Sequence, residues 1–270
     1  KMERMFEIEG SVDYDTGNVD VPTDVYVKGS VVTGFSVKSK GSITVEGTVE
    51  PGATLYARED IVVAHGITGQ KTQVVAHGNI ETRFIQNSFV LANGDIRVGS
   101  YIFNAPVRAG GSILINESKE KRGGSIVGGE VFAAKGIEAK RLGSESTDRT
   151  LVGTRGSPQE EFRLNQYKKT IAQCNATILK ILRTLGIQKV DTEALRSCLR
   201  RAPAAKKKPM AELIKNLQEL VQKKKKATEG QEAIQEAIAE EIESSTLKVS
   251  REIFSDVLIQ MGPDVENIPE

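Results

Sequence analysis

VLANGDIRVG, at residues 90–99, decides the fold, because the chain keeps rewriting it. VVAHGNIET stands at 74–82, VRAGGSILI at 107–115 and VFAAKGIEA at 131–139. Aligned on their first apolar residue, the phrases share the template apolar-x-small/apolar-x-x-x-apolar-x-apolar. Val37, Leu55, Val74, Val90, Val107 and Val131 open the copies, and Ile43, Ile61, Ile80, Ile96, Ile113 and Ile137 each follow six positions later. Companions two places on are Ala57, Ala76, Ala92, Ala109 and Ala133 in the first half and Val45, Val63, Val98 and Ile115 in the second. Glycine often precedes the next segment, as at Gly41, Gly78, Gly94 and Gly111.

A third step closes the period. Val49, Ile67, Ile85, Ile102 and Leu142 lie about six residues beyond the isoleucines, so the phrase recurs about every 18 residues in three short strokes. Alternation over three or four residues reads as strand, and the glycine between as a corner. Six residues turn a helix through ~600°, so a helix cannot keep these positions on one side. The pattern predicts a parallel β-solenoid in which each turn stacks its Val, Ile or Ala on the turn below at ~4.8 Å. A narrow interior of this kind explains the alanines and an aromatic content of only 5%. Val19, Val25 and Val31, with Val21 and Val27, extend the repeat toward the N-terminus, where FEIEGSVDY is expected to form a first strand or cap. NESKEKRGG at 116–124 is expected to lengthen one corner into a loop.

The language changes at Ser157. SPQE combines an N-cap serine, a proline at the first helical position and a glutamate in the first turn. Leu164, Tyr167, Ile171, Cys174, Ile178, Ile181 and Leu185 then alternate steps of three and four, the seam of a coiled coil, until Gly186. A second helix is expected from Asp191 through Leu195, Cys198 and Leu199, with Pro203 and Pro209 bracketing its exit. A third runs to about Ser244 on Met210, Leu213, Leu217 and Leu220, then Ala227, Ile234 and Ile238. Lys224 and Gln231 fall on that seam, so its second half should pack less well. A rod of about 27 residues spans ~40 Å, and two such rods make an antiparallel hairpin with its tip near 186–208. LKVSREI at 247–253 then resumes the repeat.

The fold expected is therefore mainly β with inserted α. It comprises a parallel β-helix over 1–156, an inserted coiled-coil hairpin over 157–245, and return strands over 246–270 that complete the β-helix. Both helical arms must root at the same end of the solenoid. Parallel crossovers favour the right-handed form.

Charge is nearly balanced at +1, which implies no global attraction to nucleic acid or anionic membrane. No apolar run approaches the ~20 residues of a membrane span. The chain opens on Lys1, so it is expected to be a piece of a longer protein. Two cysteines, Cys174 and Cys198, make no disulfide framework or metal motif and fit a reduced, cytoplasmic setting.

FEIEGSVDYDTGNV, the GDI and GSI repeats, AHGITG, INESKEKRGGSIVGGEVFAAKGIEAKRLGS and TLVGT before the helices together resemble the flagellar assembly protein A-like family of bacterial proteins. The resemblance runs from about Phe6 to Met261. It implies a cytoplasmic, non-enzymatic protein with a parallel β-helix and a coiled-coil arm, tied to flagellar assembly or to its placement, including at a flagellated pole. It brings no catalytic residues, cofactor or metal. A family-typical N-terminal domain is expected outside this piece, and the sequence departs from the family in IFSDVLI at 253–259, where a glycine is often found.

Rival chemistries are weak. A hexapeptide-type acyltransferase needs a histidine base, and His65 and His77 both stand at corners beside Gly66 and Gly78. Polysaccharide-cleaving β-helices use acidic clusters and aromatic platforms, and this chain has no tryptophan. GSIVGGE is followed by strand, where a phosphate loop would open a helix. Basic residues gather at the helical tip and third helix: Arg196, Arg200, Arg201, Lys206, Lys207, Lys208, Lys223, Lys224, Lys225 and Lys226. They read either as a solvated helix face or as a candidate interaction surface for an acidic protein, a membrane surface or nucleic acid, between which the sequence does not choose, and no interleaved aromatics favour single-strand stacking. The function expected is a scaffold with protein partners, flagellar or regulatory, and no specific nucleic acid. A homo-oligomer is compatible with it. The alternative is a self-assembling cytoskeletal filament, because solenoid ends expose strand edges.

Overall fold

The computed structural model describes residues 5–115, 123–145, 149–262 and 264–267. Two ten-stranded sheets run the length of a β-solenoid, parallel throughout except for the last strand. One is a valine–alanine sheet, in which Val19, Val37, Leu55, Val74, Val90, Val107, Val131, Val152 and Ile259 sit in direct register from turn to turn. The other is an isoleucine sheet, in which Val25, Ile43, Ile61, Ile80, Ile96, Ile113, Ile137 and Leu247 do the same. Identical residue types stack because a parallel turn places equivalent side chains over one another in the same dry interior. From Ile43 to Ile137 this second column is at most 2% exposed.

The third side is real but is not a sheet of its own. Val12, Val31, Val49 and Ile67 join it through isolated parallel bridges. Further along, the strands Ile61–Thr68, Ile80–Gln86 and Ile96–Phe103 bend at a register shift and carry both the second and the third column.

The corner glycines have a direct physical cause. Asp24 Oδ1 accepts the Ser42 amide at 2.7 Å, Asp60 Oδ1 the Asn79 amide at 2.6 Å, Asn79 Oδ1 the Asp95 amide at 2.9 Å and Asp95 Oδ1 the Ser112 amide at 2.9 Å. These polar side chains form a ladder up one edge of the solenoid and satisfy corner amides that no strand pairs. Each glycine lies directly over the rung below. A Cβ on Gly41, Gly78, Gly94 or Gly111 would stand 2.0–2.4 Å from such a side-chain oxygen.

The helices leave and rejoin the solenoid at one corner. Strand Thr150–Thr154 continues the valine–alanine sheet, and strand Thr246–Ile253 picks up the isoleucine sheet beside Gly136–Leu142. In the turn below, Ala134 and Lys135 alone bridge the same gap, from Ala133 to Gly136. The Arg155 amide bonds to the Ala133 carbonyl at 3.3 Å and the Thr246 amide to the Lys135 carbonyl at 3.4 Å, so the insertion enters and exits in register. Strand Val257–Met261 follows in parallel, and Asp264–Asn267 then turns back antiparallel along it. That closing strand was not foreseen from the repeat. The expected loop at 116–124 lies outside the described residues except for Gly123 and Gly124.

The chain divides into two compact units, residues 1–159 with 238–270, and residues 160–237. α1 spans Pro158–Leu185, α2 Thr192–Arg201 and α3 Ala204–Ser244. α1 ends in a Schellman motif: Ile187 N donates to Leu182 O at 3.0 Å and Gly186 N to Arg183 O at 3.2 Å, with Gly186 at φ +69°. Asp191 caps α2 by accepting the Glu193 amide. α3 begins earlier than expected, at Ala204, with Pro209 inside it. A proline this close to a helix start removes only one early backbone bond, and the apolar run Met210, Leu213 and Leu217 just beyond holds the segment helical.

In the helical unit Cys174, Ile178, Ile181, Leu182, Leu185, Leu195 and Leu217 form the buried cluster, with Met210, Leu213 and Leu220 packed against it. Further along, Gly230 stands close to Tyr167: a Cβ there would be 2.6 Å from the ring. Lys224 is half-buried on this seam. Replacing it with leucine should raise the stability of the helical unit by about 1 kcal/mol through apolar burial, measurable as a higher denaturant midpoint.

Candidate interaction surface

The basic residues do not form one patch. α2 carries glutamate in its first turn and Arg200 and Arg201 in its last, the arrangement that a helix dipole favours. Arg196 and Arg200, one turn apart and exposed, share an open concavity with Asp191, Glu193, Ser197 and Leu199, so charges of both signs line it. Lys223, Lys225 and Lys226 are exposed further along α3, where Lys225 meets Glu229 at 3.8 Å. Seventeen residues separate Lys206 from Lys223, which is ~26 Å along a helix.

Lys206, Lys207 and Lys208 are different. All three are exposed in the opening turns of α3, whose first turn contains no acidic residue. The positive end of the helix dipole there favours anions, so three ammonium groups oppose the local field. Residues that break a local stability rule without compensation are where function is to be sought.

On the solenoid the titratable contacts are local. Lys28 bridges Glu9 at 2.8 Å and Glu7 at 2.9 Å, and these carboxylates hold its ammonium well above the usual lysine range. Tyr26 donates to Glu46, which raises its phenol. His65 Nδ1 lies 2.6 Å from the Glu46 carbonyl oxygen and His77 Nε2 lies 2.8 Å from the Tyr56 hydroxyl, so each histidine is held within a corner contact. Among the described residues no group of His, Cys, Asp or Glu is placed to hold a metal ion, and no helix is long and apolar enough to cross a membrane. Cys174 and Cys198 are unpaired thiols, and Cys198 Sγ lies 3.4 Å from the Leu185 carbonyl.

A family model described as the Flagellar Assembly Protein A beta solenoid domain matches residues 4–270. The chain belongs to this family. No curated protein and no solved structure matches it. The residues matched to the Flagellar Assembly Protein A model span both the strands and the helices.

Proposed function

We propose that this protein is a non-enzymatic scaffold in bacterial flagellar assembly or in the positioning of the flagellum. The solenoid serves as a rigid platform, and the helices form an antiparallel coiled-coil arm whose basic tip contacts an acidic protein partner. Membership of a flagellar assembly family supports the cellular role. Tyr167 against Gly230 and the three-four spacing of both seams support the antiparallel arm. The observation that carries the reading is the in-register exit and return at Arg155 and Thr246, which sets a helical excursion on an otherwise continuous solenoid. A cytoplasmic site of action, concentrated at the flagellated pole, fits this role.

The filament alternative is disfavoured by the antiparallel strand Asp264–Asn267, which covers the edge on which another parallel rung of the valine–alanine sheet would grow.

The lysine triplet tests the reading. Changing Lys206, Lys207 and Lys208 together to glutamate should stabilise the start of α3 by about 1–2 kcal/mol in total, because acids suit a helix N-terminus. In a flagellated host carrying that variant, flagella should be fewer or misplaced while protein abundance is unchanged. Normal flagella in number and position would overturn the role of the tip.

A further inference from the structure

The two sheets finish differently at the C-terminal end of the solenoid. Strand Asp264–Asn267 pairs with the last parallel rung of the valine–alanine sheet. Strand Thr246–Ile253, the last rung of the isoleucine sheet, pairs only with Gly136–Leu142 among the described residues. Its Thr246 amide donates to the Lys135 carbonyl at 3.4 Å. Alternate residues of a parallel strand bond to the same neighbour, so the amides and carbonyls of Leu247 and Val249 point away from that neighbour. Past the register shift, the Phe254 amide donates to the Leu142 carbonyl at 3.0 Å, which turns the Ile253 amide away in the same sense. The side chains agree. Leu142 is fully buried, whereas Ile253, stacked on it, is 38% exposed. Leu247 and Val249, stacked on buried Ile137 and Ala139, are only partly buried. This sheet stops one rung short of covering its own interior.

We propose that this edge takes an extended segment of a partner protein as one further parallel strand. The charges along the edge define the chemistry of that segment. Lys248 meets Glu138 at 2.9 Å and Glu252 meets Arg141 at 4.0 Å, so the charges on the solvent side change sign from one rung to the next. The added rung therefore carries an acidic residue over Lys248, between apolar residues over Leu247 and Val249. It then carries a basic residue over Glu252 and an apolar one over Ile253. The rung below has this pattern itself, in Ile137, Glu138, Ala139, Arg141 and Leu142.

Charge also sets the direction. Laid antiparallel, the same segment places its base on Lys248 and its acid on Glu252, which is repulsive at both points. A second solenoid does not fit this end, because Asp264–Asn267 already occupies the neighbouring edge and no complete turn can be added. The register shift between Ala139 and Arg141 bends the edge at a corner. The occupant is thus a lone segment, free to bend with it.

The probe is the end-capped peptide of residues 135–143, KGIEAKRLG, labelled with a fluorophore and titrated with the intact chain. Saturable binding with a Kd of about 10–500 μM is expected by anisotropy, the weak range set by ordering one flexible strand. Hydrogen exchange at the Leu247, Val249 and Ile253 amides should slow when the peptide is bound. Glu138→Lys in the peptide should weaken binding about fivefold or more, as should Lys248→Glu in the chain. The two changes together should restore it, with the melting temperature of the variant chain as the control for folding. No saturable binding by about 1 mM overturns the proposal. So does binding that leaves those three amides unprotected, or binding indifferent to the exchange of charges.

Discussion

Ile96→Asp should leave no folded solenoid. Ile96 is fully buried and stacked between Ile80 and Ile113, so a carboxylate there has only aliphatic neighbours in its column. Burying an unpaired charged or polar group costs several kcal/mol, and losing the isoleucine removes about 1.5–3 kcal/mol of apolar transfer. Whole domains are stable by only about 5–15 kcal/mol. The expected result is loss of the β-sheet circular dichroism signal at room temperature, or a melting temperature lowered by tens of degrees. Ile96→Val, which deletes one methyl group, should cost about 1 kcal/mol. A charged variant that melts within a few degrees of the parent would mean that this column is not the core.

Gly110→Val should be nearly as severe, for a different reason. A Cβ at Gly110 would stand 2.3 Å from the Asn93 carbonyl oxygen and 3.0 Å from its carbon. Both atoms belong to the backbone of the turn below, so relief requires the turns to part and their hydrogen bonds to lengthen. A loss of about 3–5 kcal/mol is expected, in the range of strained or overpacked sites. Gly34 supplies the contrast. Its φ of +84° disfavours a side chain, yet nothing lies within 4 Å of the added atom. Gly34→Ala should cost only the left-handed penalty of about 1–2 kcal/mol. Equal losses at the two positions, read from urea midpoints, would remove close stacking as the reason for glycine at this corner.

These effects show which parts of the structure were legible in the sequence. The inward columns were, because stacking demands the same residue type at the same step and so writes itself as a repeat. The helical insertion was legible through the Ser157–Pro158 start signal, the glycine stop at Gly186 and the three-four spacing. The start of α3 was less so. Pro209 reads as a boundary by local preference, while packing of Leu213 and Leu217 carries the helix back to Ala204. The antiparallel strand Asp264–Asn267 left no mark, since a strand that closes a sheet has no further rung to match.

The candidate surfaces were legible unevenly. Every basic residue of α2 and α3 is visible as composition, but only the structure separates Lys206–Lys208, set against a helix dipole, from Arg200 and Arg201, which complement one. The outward residues between the inward pairs, apolar at Val75 and Leu91 but charged at Lys38 and Arg108, follow no repeat, so a search keyed on inward residues passes over them.

The most direct measurement is thermal unfolding and sedimentation of a variant in which residues 160–237 are replaced by a short Gly/Ser linker. The linker retains the helix roots, where a Cβ on Gly156 would meet Ile238 at 2.7 Å. If the helices are an excursion from a continuous solenoid, the variant keeps its β-sheet signal and a melting temperature within a few degrees, and it remains a small defined species. Unfolding at room temperature, or growth into fibres, would contradict that architecture and with it the division of labour between platform and arm.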